Sequence, residues 1–118
     1  PEILIDAEIN LSAVTPKFFR IMKQLEPFGP QNMKPTFVSS GLRDNGYGKK
    51  IGADETHLKL NIFEGSNQKT YNAVGFSMAD KIHVAQNGNS FKAVYNIDEN
   101  HWNGYTTLQL MLKDIKEE

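Results

Sequence analysis

The sequence contains no cysteine, which excludes a disulfide framework and a thiolate metal centre and agrees with a reducing compartment, so a cytoplasmic location is expected. It also lacks any apolar run long enough for a membrane span or a signal-peptide core. Neither sign of charge dominates. Lys and Arg number 13 against 14 Asp and Glu, a formal net charge of −1, so the chain is not the basic body expected of a free-standing nucleic-acid binder, and any basic surface must be local. Internal repeats, low-complexity tracts, a glycine-rich phosphate loop, a Ser-His-Asp pattern and a general-acid pair are all missing. As an isolated enzyme the chain is unpersuasive.

What is present suffices for a fold. With 118 residues, 39% hydrophobic, and seven Phe, four Tyr and one Trp, the composition is that of one globular domain, able to bury about two thirds of the surface its unfolded form exposes. The chain begins at Pro1 without a methionine, as a piece of a longer polypeptide would.

Pro27, Pro30, Pro35 and Gly29 crowd the stretch from Leu25 to Phe37, which excludes helix and central strand there because proline removes a backbone donor and fixes φ. Phe28 and Phe37 make it a packed connector rather than a polar flexible linker. The expected division is therefore residues 1–35, a strand, a helix and the connector, and residues 36–118, a β domain. Ile3, Ile5, Ala7, Ile9 and Leu11 alternate with Asp6, Glu8 and Asn10, the period of a half-buried strand. Thr15-Pro16 reads as a helix cap followed by proline at the first helical position, with Phe18, Ile21, Met22 and Leu25 at helical spacing. This strand and helix need a second layer. They are expected to dock at least partly on something outside the chain, and so to support a weak dimer.

From Thr36 onward the period is two. Strands are predicted over about Thr36–Arg43, His57–Phe63 and Lys69–Phe76, then around Phe91, Ala93, Tyr95 and Ile97, and around Leu108, Leu110 and Leu112. A single polar turn of helix is expected near Ala79–His83. Turns fall at Asn45-Gly46, Gly65-Ser66-Asn67, Asn87-Gly88-Asn89 and Asn103-Gly104, and Gly41 suggests a bulge. Five short strands with turns between them indicate a small barrel or sandwich.

Several segments carry a resemblance. Leu25-Glu26-Pro27-Phe28-Gly29-Pro30, with Asn32 and Pro35, is similar to the lead-in to the oligonucleotide-binding (OB) domain of the RecJ exonucleases, DHH phosphoesterases that digest single-stranded DNA. Gly52 with His57-Leu58-Lys59-Leu60, Ala73-Val74-Gly75-Phe76, and Asn100-His101-Trp102-Asn103-Gly104 followed by Leu108-Gln109-Leu110 and Lys113-Asp114-Ile115 resemble later segments of that family in the same order. The resemblance implies a mainly β chain: a five-stranded Greek-key OB barrel preceded by one strand and one α-helix. It implies that the domain holds single-stranded DNA and guides it to catalytic DHH domains of the same polypeptide, which bind Mn2+ or Mg2+. The Asp-His-His triplet and the other metal-holding aspartates of that nuclease are absent from this sequence, so no cofactor and no catalytic residue are expected within it. The alternative is a structural or protein-interaction module that braces those domains.

Single-strand binding needs positive charge for phosphates and aromatic faces for bases, and an OB fold offers them on its second and third strands and adjoining loops. That scheme puts Arg43, Tyr47, Lys49 and Lys50 in the first loop, His57 and Lys59 on the second strand, and Tyr71 on the third. Asn100, His101, Trp102, Asn103 and Tyr105 fall in the last loop. Trp102 reads either as a base platform or as a hairpin plug, and Lys49-Lys50 either as phosphate ligands or as a solvated turn. Phe28, Phe37 and Phe76 are assigned to packing. Asp54, Glu55 and His57 suggest a metal site only weakly, because hard ions need more oxygen ligands than this string supplies.

Overall fold

Leu58, Leu60 and Ile62 are each at most 1% exposed, and the alternation that buries them marks the strand about which the molecule is built. The computed structural model describes residues 3–25 and 34–118; Phe28 and most of the proline-rich connector lie outside the described residues. Among the described residues seven strands are present: β1 (Ala7–Glu8), β2 (Phe37–Asp44), β3 (Lys49–Ile51), β4 (His57–Glu64), β5 (Tyr71–Gly75), β6 (Phe91–Trp102) and β7 (Tyr105–Glu117). One α-helix, α1 (Pro16–Gln24), and 3-10 turns at Leu11–Ala13 and Ala79–Ala85 complete the described chain. No described helix is long and apolar enough to cross a membrane.

Five strands pair in a ring. β2 pairs with β4, β4 with β5 and β6 with both β7 and β2, all antiparallel, and β5 pairs with β7 in parallel. Every strand of the ring has two neighbours, which removes the open edges that a small sheet would otherwise present. β2 serves β6 with its first half and β4 with its second, and the change of neighbour falls where the register shifts between Ser39 and Leu42. Gly41 sits inside that shift at φ +67°, a conformation glycine adopts without steric cost. The carboxylate of Glu118 accepts from the Gly41 N–H at 2.8 Å and from the Ser90 hydroxyl at 2.7 Å, fastening the residue after β7 to the bend. These contacts hold the Glu118 carboxyl below the usual carboxylate range, with the Ser90 bond contributing most.

The segment before the connector departs from its expected form. Only Ala7–Glu8 is strand, parallel to β2, because the chain then turns inward. The Leu11 N–H is taken by Glu64 Oε2 at 2.8 Å, and Leu11 and Val14 are buried. Thr15 caps α1 by accepting the Phe18 N–H at 3.1 Å, with Pro16 at the first helical position, as the sequence indicates. The buried face of the helix consists of Phe19 and Met22, with Phe18 half-buried, whereas Ile21 and Leu25 are exposed. Leu11, Val14, Phe19 and Met22 join the barrel strands in one core, so the helix finds its second layer within the chain.

Polar groups inside are matched. Ser39 Oγ donates to the Ile9 carbonyl and shares a 2.7 Å hydrogen bond with the Tyr95 hydroxyl, joining the first segment to β2 and β6. Burial pushes the Tyr95 phenol up to about 12, against a smaller opposing effect of the Ser39 hydrogen bond. Among the described residues no buried side-chain nitrogen or oxygen lacks a partner.

Candidate nucleic-acid interface

In a paired sheet, residues directly opposite share a face, and every second residue along a strand returns to it. On β4 the outward set is His57, Lys59 and Asn61. Lys49 of β3 lies opposite Lys59, and Ile51 opposite His57. Across the other edge Asn61 pairs with Asn72 and Lys59 with Val74, and these in turn pair with Gln109 and Met111 of β7. One face thus carries Lys49, Lys59, Asn61, Asn72 and Gln109. Amide side chains tie it together: Asn45 Nδ2 donates to Asn61 Oδ1 at 2.6 Å, and Asn61 Nδ2 to Asn72 Oδ1 at 3.1 Å.

Lys49 and Lys59 stand opposite each other, both exposed, and neither enters an ion pair among the described residues. Like charges in directly opposed positions destabilise a sheet, so this pair is an unneutralised positive site. The sequence reading placed Lys49 and Lys50 in a loop; they belong to a short strand that continues the β2 edge along β4. Lys50 lies opposite Leu58 and therefore on the other side of β3 from Lys49.

The loop between β2 and β3 is organised by a residue the sequence reading missed. Asp44 is 8% exposed, and its carboxylate accepts from the N–H groups of Gly46, Gly48 and Asn61, each at 2.9 Å. A Cβ on Gly48 would lie 2.8 Å from Leu60 Cδ2, so glycine is needed for the loop to press on the core. Asp followed by Asn-Gly-x-Gly is the signal that was available. Tyr47 emerges from this loop 80% exposed. Arg43 is exposed, and its guanidinium donates to the Gly88 carbonyl, pinning a neighbouring turn.

His57 accepts the Ser77 N–H on Nδ1 at 2.9 Å, and its ring meets Phe76 in a T-shaped contact with centroids 5.2 Å apart. Phe76 is 62% exposed. Its assignment to packing is therefore corrected; it follows the last residue of β5, past the strands that would have covered it. Phe37 does pack, 6% exposed and against Phe18 and Tyr95. Tyr71 is not on the outward face. It faces inward opposite Ile62, 4% exposed, and donates to the Val14 carbonyl at 2.7 Å.

The last expected loop is a long hairpin. Asn100 lies opposite Thr107, His101 opposite Thr106 and Trp102 opposite Tyr105, all exposed, and Asn103 and Gly104 turn the chain at positive φ. Asn-Gly is the pair that such a two-residue turn demands. Trp102 and Tyr105 are 74% and 75% exposed, so Trp102 is no hairpin plug. Stepping by two from Met111 through Gln109 and Thr107 keeps Tyr105, and with it Trp102, on the parity of the Lys59 face. The strand from Met111 back to Tyr105 spans about 20 Å. His101 turns the other way, bonding Thr106 Oγ1 through Nδ1 at 2.9 Å and lying 3.9 Å from Glu99.

Among the described residues no three His, Asp or Glu side chains converge to hold a metal ion. Asp54 and Glu55 lie in the turn before β4, and His57 Nδ1 already has a partner.

A five-strand ring with one parallel contact, a bulged first strand and a 3-10 turn between its third and fourth strands defines an OB-fold domain. The likeness extends to the mitochondrial single-stranded DNA binding protein Rim1 of S. cerevisiae, with a TM-score of 0.51, 20% identity, and 72% of this chain and 96% of that chain covered. The chain belongs to the RecJ OB domain family, whose profile matches residues 5–114. It is 31% identical over 111 residues to the single-stranded-DNA-specific exonuclease RecJ of Bacillus subtilis (strain 168), covering 93% of this chain and 14% of that protein. RecJ from Thermus thermophilus, crystallised in complex with Mn2+, matches with a TM-score of 0.61 and 21% identity over 87% of this chain and 14% of its own. The chain thus spans about one seventh of the RecJ proteins it resembles.

Proposed function

We propose that this domain binds single-stranded DNA without sequence preference and guides it to the catalytic DHH domains of a RecJ-type exonuclease. The Lys49–Lys59 pair carries the reading, because an unneutralised pair of cations opposite each other on a sheet is relieved by an anion. Lys49 and Lys59 would hold phosphates, while Tyr47, Trp102 and Tyr105 offer exposed rings on which bases stack. Asn100 and the amides of Asn61 and Asn72 supply neutral hydrogen bonds on the same parity. The names of the RecJ and Rim1 relatives support the choice of single-stranded DNA. Hydrolysis, and the Mn2+ or Mg2+ it would use, are assigned in this reading to the DHH domains of the parent, whose Asp-His-His triplet this sequence lacks.

The test is a titration with oligothymidylate at several salt concentrations. Lys49→Ala and Lys59→Ala should each weaken binding and lower the salt slope by about 0.7, as expected for one phosphate contact to a single strand. Lys50→Ala, on the other side of β3, should change the slope much less. Lysine variants that bind like wild type with an unchanged slope would exclude this face.

A second reading, that the domain braces the catalytic domains, is favoured by a separate observation. Ile3, Leu4, Ile5, Ile21 and Leu25 are 41% to 76% exposed and lie on the N-terminal segment, away from the paired lysines in sequence. The two roles use different residues and are compatible.

A further inference from the structure

We propose that Phe76, seated against His57, is a stacking platform for one base of the bound strand, a binding residue beside the Lys49–Lys59 phosphate site; this rests on the single-strand reading above. The ring is not merely left over on the surface. Its position is set by the His57 ring and by the backbone that follows it. Ser77, the next residue, is held at φ +58°, a left-handed conformation that costs energy for any residue but glycine and tends to be kept at functional sites. In that conformation its N–H reaches His57 Nδ1. On the other flank, a Cβ on Gly75 would lie 2.6 Å from Met78 Sδ, and a Cβ on Gly52 would lie 2.9 Å from His57 Cδ2. Gly52 thus leaves room for the His57 ring on which Phe76 sits, and Gly75 leaves room for Met78, the residue after Ser77.

The placement matches what a base requires. His57 and Lys59 are two residues apart on the outward face of β4, about 7 Å, so the ring seated on His57 stands next to the paired cations. Because Nδ1 accepts a hydrogen bond, the neutral imidazole carries its proton on Nε2, a donor for a phosphate or base oxygen beside the ring. Exposed aromatic area next to positive charge is the combination that single-strand sites use, and it accepts every base because every base has a π face.

The experiment uses the 118-residue chain and an oligothymidylate of roughly 12 nucleotides, within the span of one OB fold. Phe76→Ala should weaken binding about 5- to 150-fold, with the salt slope unchanged and the melting temperature close to wild type. Phe76→Tyr should restore affinity, and Phe76→Leu, which keeps apolar bulk but has no π face, should not. If Phe76→Ala binds like wild type, or Leu restores affinity as well as Tyr, the platform is overturned while the lysine reading stands. Absence of oligothymidylate binding by wild type would overturn both.

Discussion

Tyr95 shows how one side chain couples chemistry to stability. Its hydroxyl is shared with Ser39, which also holds the Ile9 carbonyl, and burial raises its titration from 10.0 to about 12. Between those values the unfolded chain has released a proton that the folded chain keeps, so stability falls as pH rises through this window. The loss should reach roughly 2–3 kcal/mol once both states are ionised. Urea unfolding of wild type and Tyr95→Phe at about pH 9, below that window, and about pH 11.5, well inside it, measures most of it: the wild type should lose more stability over the interval than the variant, and parallel losses would remove Tyr95 as the cause.

The β2–β3 edge is the element on which the proposed site depends, and Asp44 is its organiser. Asp44→Ala leaves the N–H groups of Gly46, Gly48 and Asn61 without their acceptor and should cost on the order of 3 kcal/mol. Asp44→Asn keeps one acceptor oxygen and should cost less. Single-strand affinity should fall with both, since Tyr47 and Lys49 lose their support; denaturant unfolding and titration on the same samples check the two effects together. Much at this scale was legible beforehand. The β4 alternation, the Thr15-Pro16 helix start, the Gly41 bulge and the Asn103-Gly104 turn are local signals, and each appears where the sequence puts it. What was not legible depends on distant partners. β3 exists because residues 57–59 offer an edge, β1 stops where Glu64 takes the Leu11 N–H, and the inward choice of Tyr71 is decided by its register against Ile62. Phe76 was misjudged for the same reason, since nothing local says where its covering strand ends.

As a whole molecule, the segment before the connector and the barrel share one core and should unfold together. Phe19→Ala, a truncation at a 6% exposed site, should destabilise the entire domain by about 3–5 kcal/mol. Trp102 fluorescence at the hairpin tip and far-ultraviolet circular dichroism should give coincident transitions; an earlier loss of helix signal would mean that α1 detaches by itself.

The closed ring of pairings also bears on how the chain comes off the ribosome. β7 is the common neighbour of β5 and β6, so the circle stays open until residues 105–117 have been synthesised, and until then β5 and β6 each keep an unpaired edge open to another strand. At about 5–20 residues per second, some seconds pass between the emergence of β2 and that of the strand that closes the ring. During that interval the nascent domain is an arc rather than a barrel. The fastening of Glu118 to Gly41 and Ser90 becomes available only after β7 has emerged, so it is made once the arc can close.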